Sequence, residues 1–101
     1  MAGVVKMHIH EFQEMMRNLY FHRDSQRGVE KTFEWFVEEV AELGEALKAD
    51  DKKALENEFA DVIAWLASLA NITDVNLEKA ALGKYDGKCP KCRRSPCQCT
   101  F

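Results

Sequence analysis

Residues 36–47 read FVEEVAELGEAL and residues 55–70 read LENEFADVIAWLASLA. Phe36, Val40, Leu43 and Leu47 recur at steps of three and four. So do Leu55, Phe59, Val62, Ile63, Leu66, Leu69 and Ala70. An apolar stripe with that spacing is one face of an α-helix. The two stretches predict helices over about Val29–Ala49 and about Asp51–Asn71, with Asp50 or Asp51 as the N-cap of the second. Working outward, Phe12, Met15, Met16 and Leu19 extend the pattern upstream to a helix over about Met7–His22. The polar run Arg23-Asp24-Ser25-Gln26-Arg27-Gly28 reads as its break. Downstream, Thr73 or Asp74 caps a short helix over about Val75–Tyr85. Only Val4 to Ile9 alternates as a strand would. The expected fold is all-α: an antiparallel bundle of three to four helices over residues 1–86, followed by a Cys-rich basic tail over 87–101. Helices with wide apolar faces in so short a chain predict a core completed by a second copy, in a homodimer or homotetramer.

The chain has 101 residues, 47% hydrophobic and 31% charged, as expected of one soluble globular domain. Fourteen Lys and Arg against seventeen Asp and Glu leave a net charge of −3, which argues against a nucleic-acid binder. Residues 30–61 hold eleven acids and four bases, and residues 84–101 hold five bases and one acid. The middle is therefore acidic and the end basic. The longest uncharged stretch, Val62–Thr73, is 12 residues, against the roughly 20 that a membrane helix needs. Met1–His10 has no apolar run of signal-peptide length. A cytoplasmic protein that does not engage a membrane is the expectation.

The acids of the middle segment are arranged in pairs. Glu39 and Glu42 are three apart on the second helix, and Glu58 and Asp61 are three apart on the third, so each pair shares a face. At about 100° per residue, both pairs flank the apolar stripes beside Trp35 and Trp65 and avoid the outermost solvent face. Antiparallel packing brings the four carboxylates together, where each raises the pKa of the others unless a cation neutralises them. A hard divalent ion with oxygen ligands, Mg²⁺ or Mn²⁺, suits such a group and keeps positions open for substrate phosphates. A solvated acidic surface is the alternative. A di-iron site is the rival metal reading, but it uses Glu-x-x-His pairs; the position after Glu58 is Asp61, and no His follows His22. His8, His10 and His22 fit surface or first-helix packing.

Glu38-Glu39-x-x-Glu42, followed by Glu58-x-x-Asp61, resembles the signature of the MazG-like nucleoside triphosphate pyrophosphohydrolases. The resemblance takes in Arg23-Asp24-x-x-Arg27-Gly28, Trp35-Phe36-Val37, Asn76-x-x-Lys79 and Lys84-Tyr85, and covers roughly residues 12–85. It implies an all-α fold, Mg²⁺ dependence, and hydrolysis of a (deoxy)nucleoside triphosphate to the monophosphate and pyrophosphate. Glu39, Glu42, Glu58 and Asp61 are then the metal ligands, and Glu42 or Glu38 orients the attacking water. Asn76 and Lys79 would hold phosphate or sugar, assisted by Lys84; an ordinary charged surface helix is the alternative. Arg27 suits a bidentate phosphate clamp or a plain loop residue. Trp35 and Trp65 either stack on a base or belong to the core.

The tail places Cys89, Cys92, Cys97 and Cys99 within eleven residues. Four sulfurs suit a tetrahedral Zn²⁺, and disulfides are the alternative in an oxidising compartment. A nucleotide-pool house-cleaning hydrolase is the leading expectation for the whole chain. The competing one is a non-catalytic helical interaction module with a zinc-binding tail.

Overall fold

Caps and one glycine set the limits of the four helices, and the structure, a computed structural model, describes residues 7–100. They are α1 (Ile9–Arg27), α2 (Val29–Lys48), α3 (Lys52–Ile72) and α4 (Leu77–Lys84). The all-α expectation holds, and no strand occurs among the described residues. Val4–Lys6, part of the alternating stretch, lie outside them. Asp51 caps α3 as its sequence position suggests, its side chain accepting from the N–H groups of Lys53 and Ala54.

Two boundaries differ from expectation, for local reasons. The polar run after His22 does not end α1. Asp24 is buried there and accepts from Arg27 Nη1 at 2.8 Å, so the helix continues until Gly28, whose φ of 88° a side chain would strain. The cap of α4 is Asn76, whose Oδ1 accepts from the Lys79 N–H. Thr73 instead ends α3, donating its hydroxyl to the Leu69 carbonyl at 2.8 Å. Asp74 takes the left-handed turn conformation, φ 57°, which Asp tolerates better than most residues.

Helix α3 lies between its two neighbours, packing most extensively on α2 and then on α1. Its small buried residues Ala67, Ser68, Ala70 and Asn71 let a neighbouring backbone come close. Gln13 locks α1 to the end of α3. Its Nε2 donates to Asn71 Oδ1 at 3.0 Å and to the Val75 carbonyl at 2.8 Å, while its Oε1 accepts from the Leu77 N–H at 2.9 Å. Replacing this buried amide with a methyl group leaves three partners unsatisfied. Gln13→Ala is therefore expected to cost about 2–4 kcal/mol in chemical denaturation.

The apolar stripes used above to identify α2 and α3 are only partly buried: Ala70 is buried, Phe36, Leu43, Leu55, Val62 and Leu69 are half-buried, and Val40, Leu47, Phe59, Ile63 and Leu66 are exposed. Thr32 and Ala46 are the buried residues of α2, while Leu47 is 62% exposed and Phe33 53%; on α3, Phe59 is 55% exposed. Among the described residues the buried hydrophobic side chains are Met16, Ala46, Ala67 and Ala70, a thin interior for a chain of this length. The Cα radius of gyration is 16.2 Å, against about 13 Å for a compact chain of 100 residues. Counted at about 100° per residue, Phe33, Val37, Val40 and Leu47 lie to one side of the α2–α3 seam, and Phe59, Ile63 and Leu66 lie to the same side. Trp35, Glu42, Asp61 and Ser68 lie to the other side, where Ser68 is buried and the other three are exposed. One face of the hairpin is thus apolar and open to solvent.

Candidate active site

The three-residue connection between α2 and α3 makes them an antiparallel pair whose register follows from Trp35 and Trp65. Their rings meet edge-on, with centroids 5.4 Å apart. One turn nearer the connection, Glu39 and Glu42 of α2 come level with Asp61 and Glu58 of α3. Carboxylate oxygens of Glu39, Glu58 and Asp61 lie within 4.8 Å of one another. Glu42 is exposed and lies close enough to the Glu39 carboxyl to raise its pKa. Glu39 and Glu58 are half-buried in the helix–helix seam, while Asp61 and Glu42 are exposed at its edge. Glu38 is exposed on α2, outside this group.

Such a group is electrostatically unstable on its own. Burial, the nearby Glu42 side chain, and the charges of Asp61 and Glu58 push the Glu39 pKa up from 4.5 to about 7. Glu58 is raised as well, first by burial and then by Glu42 and Asp61. The Oε2 atoms of Glu39 and Glu58 are buried and have no hydrogen-bond partner. Buried carboxylate oxygens normally have one. Three converging oxygen donors, two of them with unsatisfied buried atoms, fit a hard divalent cation.

Beside the acids lies a pocket of about 270 Å³, lined by Asp61, Ala64, Trp65 and Ser68 of α3, Trp35 of α2, and Met16, Tyr20, Arg23, Asp24 and Arg27 of α1. Arg27 donates to Asp24 and, at 3.3 Å, to Thr32 Oγ1, and its guanidinium packs 5.0 Å from both tryptophan rings. It therefore braces the pocket wall. The second oxygen of Asp24, Oδ2, is buried and unpaired.

A family model for the MazG nucleotide pyrophosphohydrolase domain matches residues 27–93. The chain belongs to that family. No curated protein matches it. The matched MazG segment contains Glu39, Glu42, Glu58 and Asp61, whereas Met16, Tyr20, Arg23 and Asp24, the α1 wall of the pocket, precede it. These four were not singled out in the sequence as site residues. The available signal was their spacing of four, three and one along an uninterrupted helix, which the assumed break at Arg23 concealed.

Asn76, Lys79 and Lys84 are not drawn into this pocket. Asn76 is occupied as a helix cap and sits with Val75 beside Gln13 and Asn71. Thirteen residues of α3 separate Asn71 from Glu58, about 20 Å of helix. Lys84 Nζ lies 5.7 Å from the Tyr85 ring. No helix among the described residues is long and apolar enough to cross a membrane.

Proposed function

We propose that this MazG-domain protein hydrolyses a nucleoside triphosphate to the monophosphate and pyrophosphate, in an Mg²⁺-dependent reaction that removes aberrant or excess nucleotides in the cytoplasm. The observation that carries this reading is the convergence of Glu39, Glu58 and Asp61 with buried, unsatisfied oxygens. An isolated interaction module has no need of that arrangement, and its electrostatic cost would select against it. Glu39, Glu58 and Asp61 would hold the cation, with Glu42 completing the set; Mn²⁺ satisfies the same donors. When bound, the ion neutralises triphosphate charge and polarises the scissile anhydride.

The chain's own residues do the rest. As the alternative to ligating the ion, Glu42 would accept a proton from the water that attacks the α-phosphorus, and Glu38, one turn away, is its alternate. Trp35 and Trp65 offer ring faces to a base, Arg27 keeps those rings in place, and Asp24 Oδ2 is a free acceptor for a donor on the base. Arg23 supplies a cation at the pocket rim. Lys79 and Lys84 reach phosphate only if a neighbouring copy brings them there, which fits a homodimer or homotetramer assembled through the open apolar face.

The test is a panel of NTPs and dNTPs incubated with Mg²⁺, reading pyrophosphate. Pyrophosphate release that disappears in Asp61→Asn supports the reading; orthophosphate release, or none, overturns it.

The pH response has a definite sign. Glu39 titrates at about 7 in the folded chain and near 4.5 when unfolded, so the folded state holds a proton that the unfolded state releases. Stability of the metal-free protein is therefore highest below about pH 4.5, as far as this group is concerned, and falls as pH rises to about 7. The cation needs the ionised form. Its apparent affinity is expected to rise roughly tenfold per pH unit below 7 and to level off above it, as calorimetric Mg²⁺ titrations at several pH values would show.

A further inference from the structure

The tail after α4 has no interior of its own: every residue from Tyr85 to Thr100 is exposed or half-buried. It nevertheless takes a defined turn. Arg93 adopts φ 64°, so its N–H reaches the Cys89 carbonyl at 2.8 Å and the Cys89 N–H reaches the Arg94 carbonyl at 3.0 Å. That turn aims Cys89 and Cys92 toward Cys97 and Cys99, and one sulfur from each of the four lies within 4.8 Å of the others. All four are free thiols.

We propose that Cys89, Cys92, Cys97 and Cys99 form a tetrathiolate zinc site that folds the C-terminal segment. The sulfur spacing distinguishes this from paired disulfides. Cys89 and Cys99 Sγ are 3.6 Å apart, and Cys92 and Cys97 Sγ are 4.0 Å apart. A tetrahedron with Zn–S bonds of about 2.3 Å has edges of about 3.8 Å, whereas a disulfide needs about 2.05 Å. Two of the sulfurs also accept backbone N–H donors. The Gln98 N–H donates to Cys92 Sγ and the Cys99 N–H to Cys97 Sγ, each at 3.3 Å. Such N–H donors orient metal-bound thiolates and spread their charge. Four thiolates around Zn²⁺ leave a net charge of about −2, and Lys88, Lys91, Arg93 and Arg94 stand among them in sequence. The basic character of the tail thus acquires a physical reason. None of the four cysteines belongs to the carboxylate group of Glu39, Glu58 and Asp61.

The experiment is metal analysis of the full chain, purified under reductant without chelator and supplied with zinc chloride, alongside Cys92→Ser and Glu58→Gln. About one zinc per chain is expected in the parent and in Glu58→Gln, with less than about one tenth in Cys92→Ser. Cobalt in place of zinc should give the visible bands of tetrahedral thiolate coordination in the parent and not in Cys92→Ser, while helical circular dichroism stays unchanged. A reduced parent that retains no zinc, or a Cys92→Ser variant that retains it fully, overturns the proposal.

Discussion

Glu58→Gln is expected to lower kcat/KM by on the order of a thousandfold or more while making the metal-free protein melt at a higher temperature. The two effects have one cause. In the metal-free chain the Glu58 pKa is raised first by burial and then by Glu42 and Asp61, and one of its oxygens has no partner. An amide of the same shape removes the repulsion and brings N–H donors to neighbouring carboxylates. It also removes a cation ligand, and with it the charge neutralisation on which phosphoryl chemistry depends. Added Mg²⁺ should therefore raise the parent's melting temperature and leave that of Glu58→Gln unchanged. Paired calorimetric scans with and without Mg²⁺ check both halves. A variant that is less stable and fully active would mean that Glu58 plays a structural part only.

The second large effect concerns the apolar face. Phe33, Val37, Val40, Phe59 and Ile63 are all exposed on one side of the α2–α3 hairpin, and among the described residues the buried side chains are Met16, three alanines and five polar residues. A chain of this size with so small a core is marginal on its own. Val40→Asp combined with Ile63→Asp is expected to abolish self-association and lower the melting temperature by more than about 10 °C. Sedimentation and thermal unfolding report the two losses together. A parent that sediments as a stable monomer, with the double variant equally stable, would contradict this account of the face.

These two faces also mark what could be read in the sequence. The 3.6-residue periodicity of residues 36–47 and 55–70 is a local property, and it was sufficient for the helices, their order and the Asp51 cap. It did not reveal which apolar face would be covered. Packing within the chain buries Thr32 and Ala46 and leaves Phe33, Val40 and Leu47 outside; that choice depends on tertiary contacts. The i,i+3 acids were legible because two short spacings on consecutive helices fix their convergence. The α1 wall was not, because Asp24 resembles a turn residue until its partner Arg27, three positions on, is seen to satisfy it within a continuing helix. Asn76, a substrate contact only by family resemblance, caps α4 with its side chain, a use its position before Leu77 also allowed.

The most direct test of the central claim is a Mn²⁺ titration of the full chain, followed by the paramagnetic resonance signal of the free ion, which is lost on binding. Binding in the parent and in Cys92→Ser, and its absence in Glu58→Gln and Asp61→Asn, is the predicted result. Equal Mn²⁺ affinity in the parent and in both carboxylate variants would contradict it.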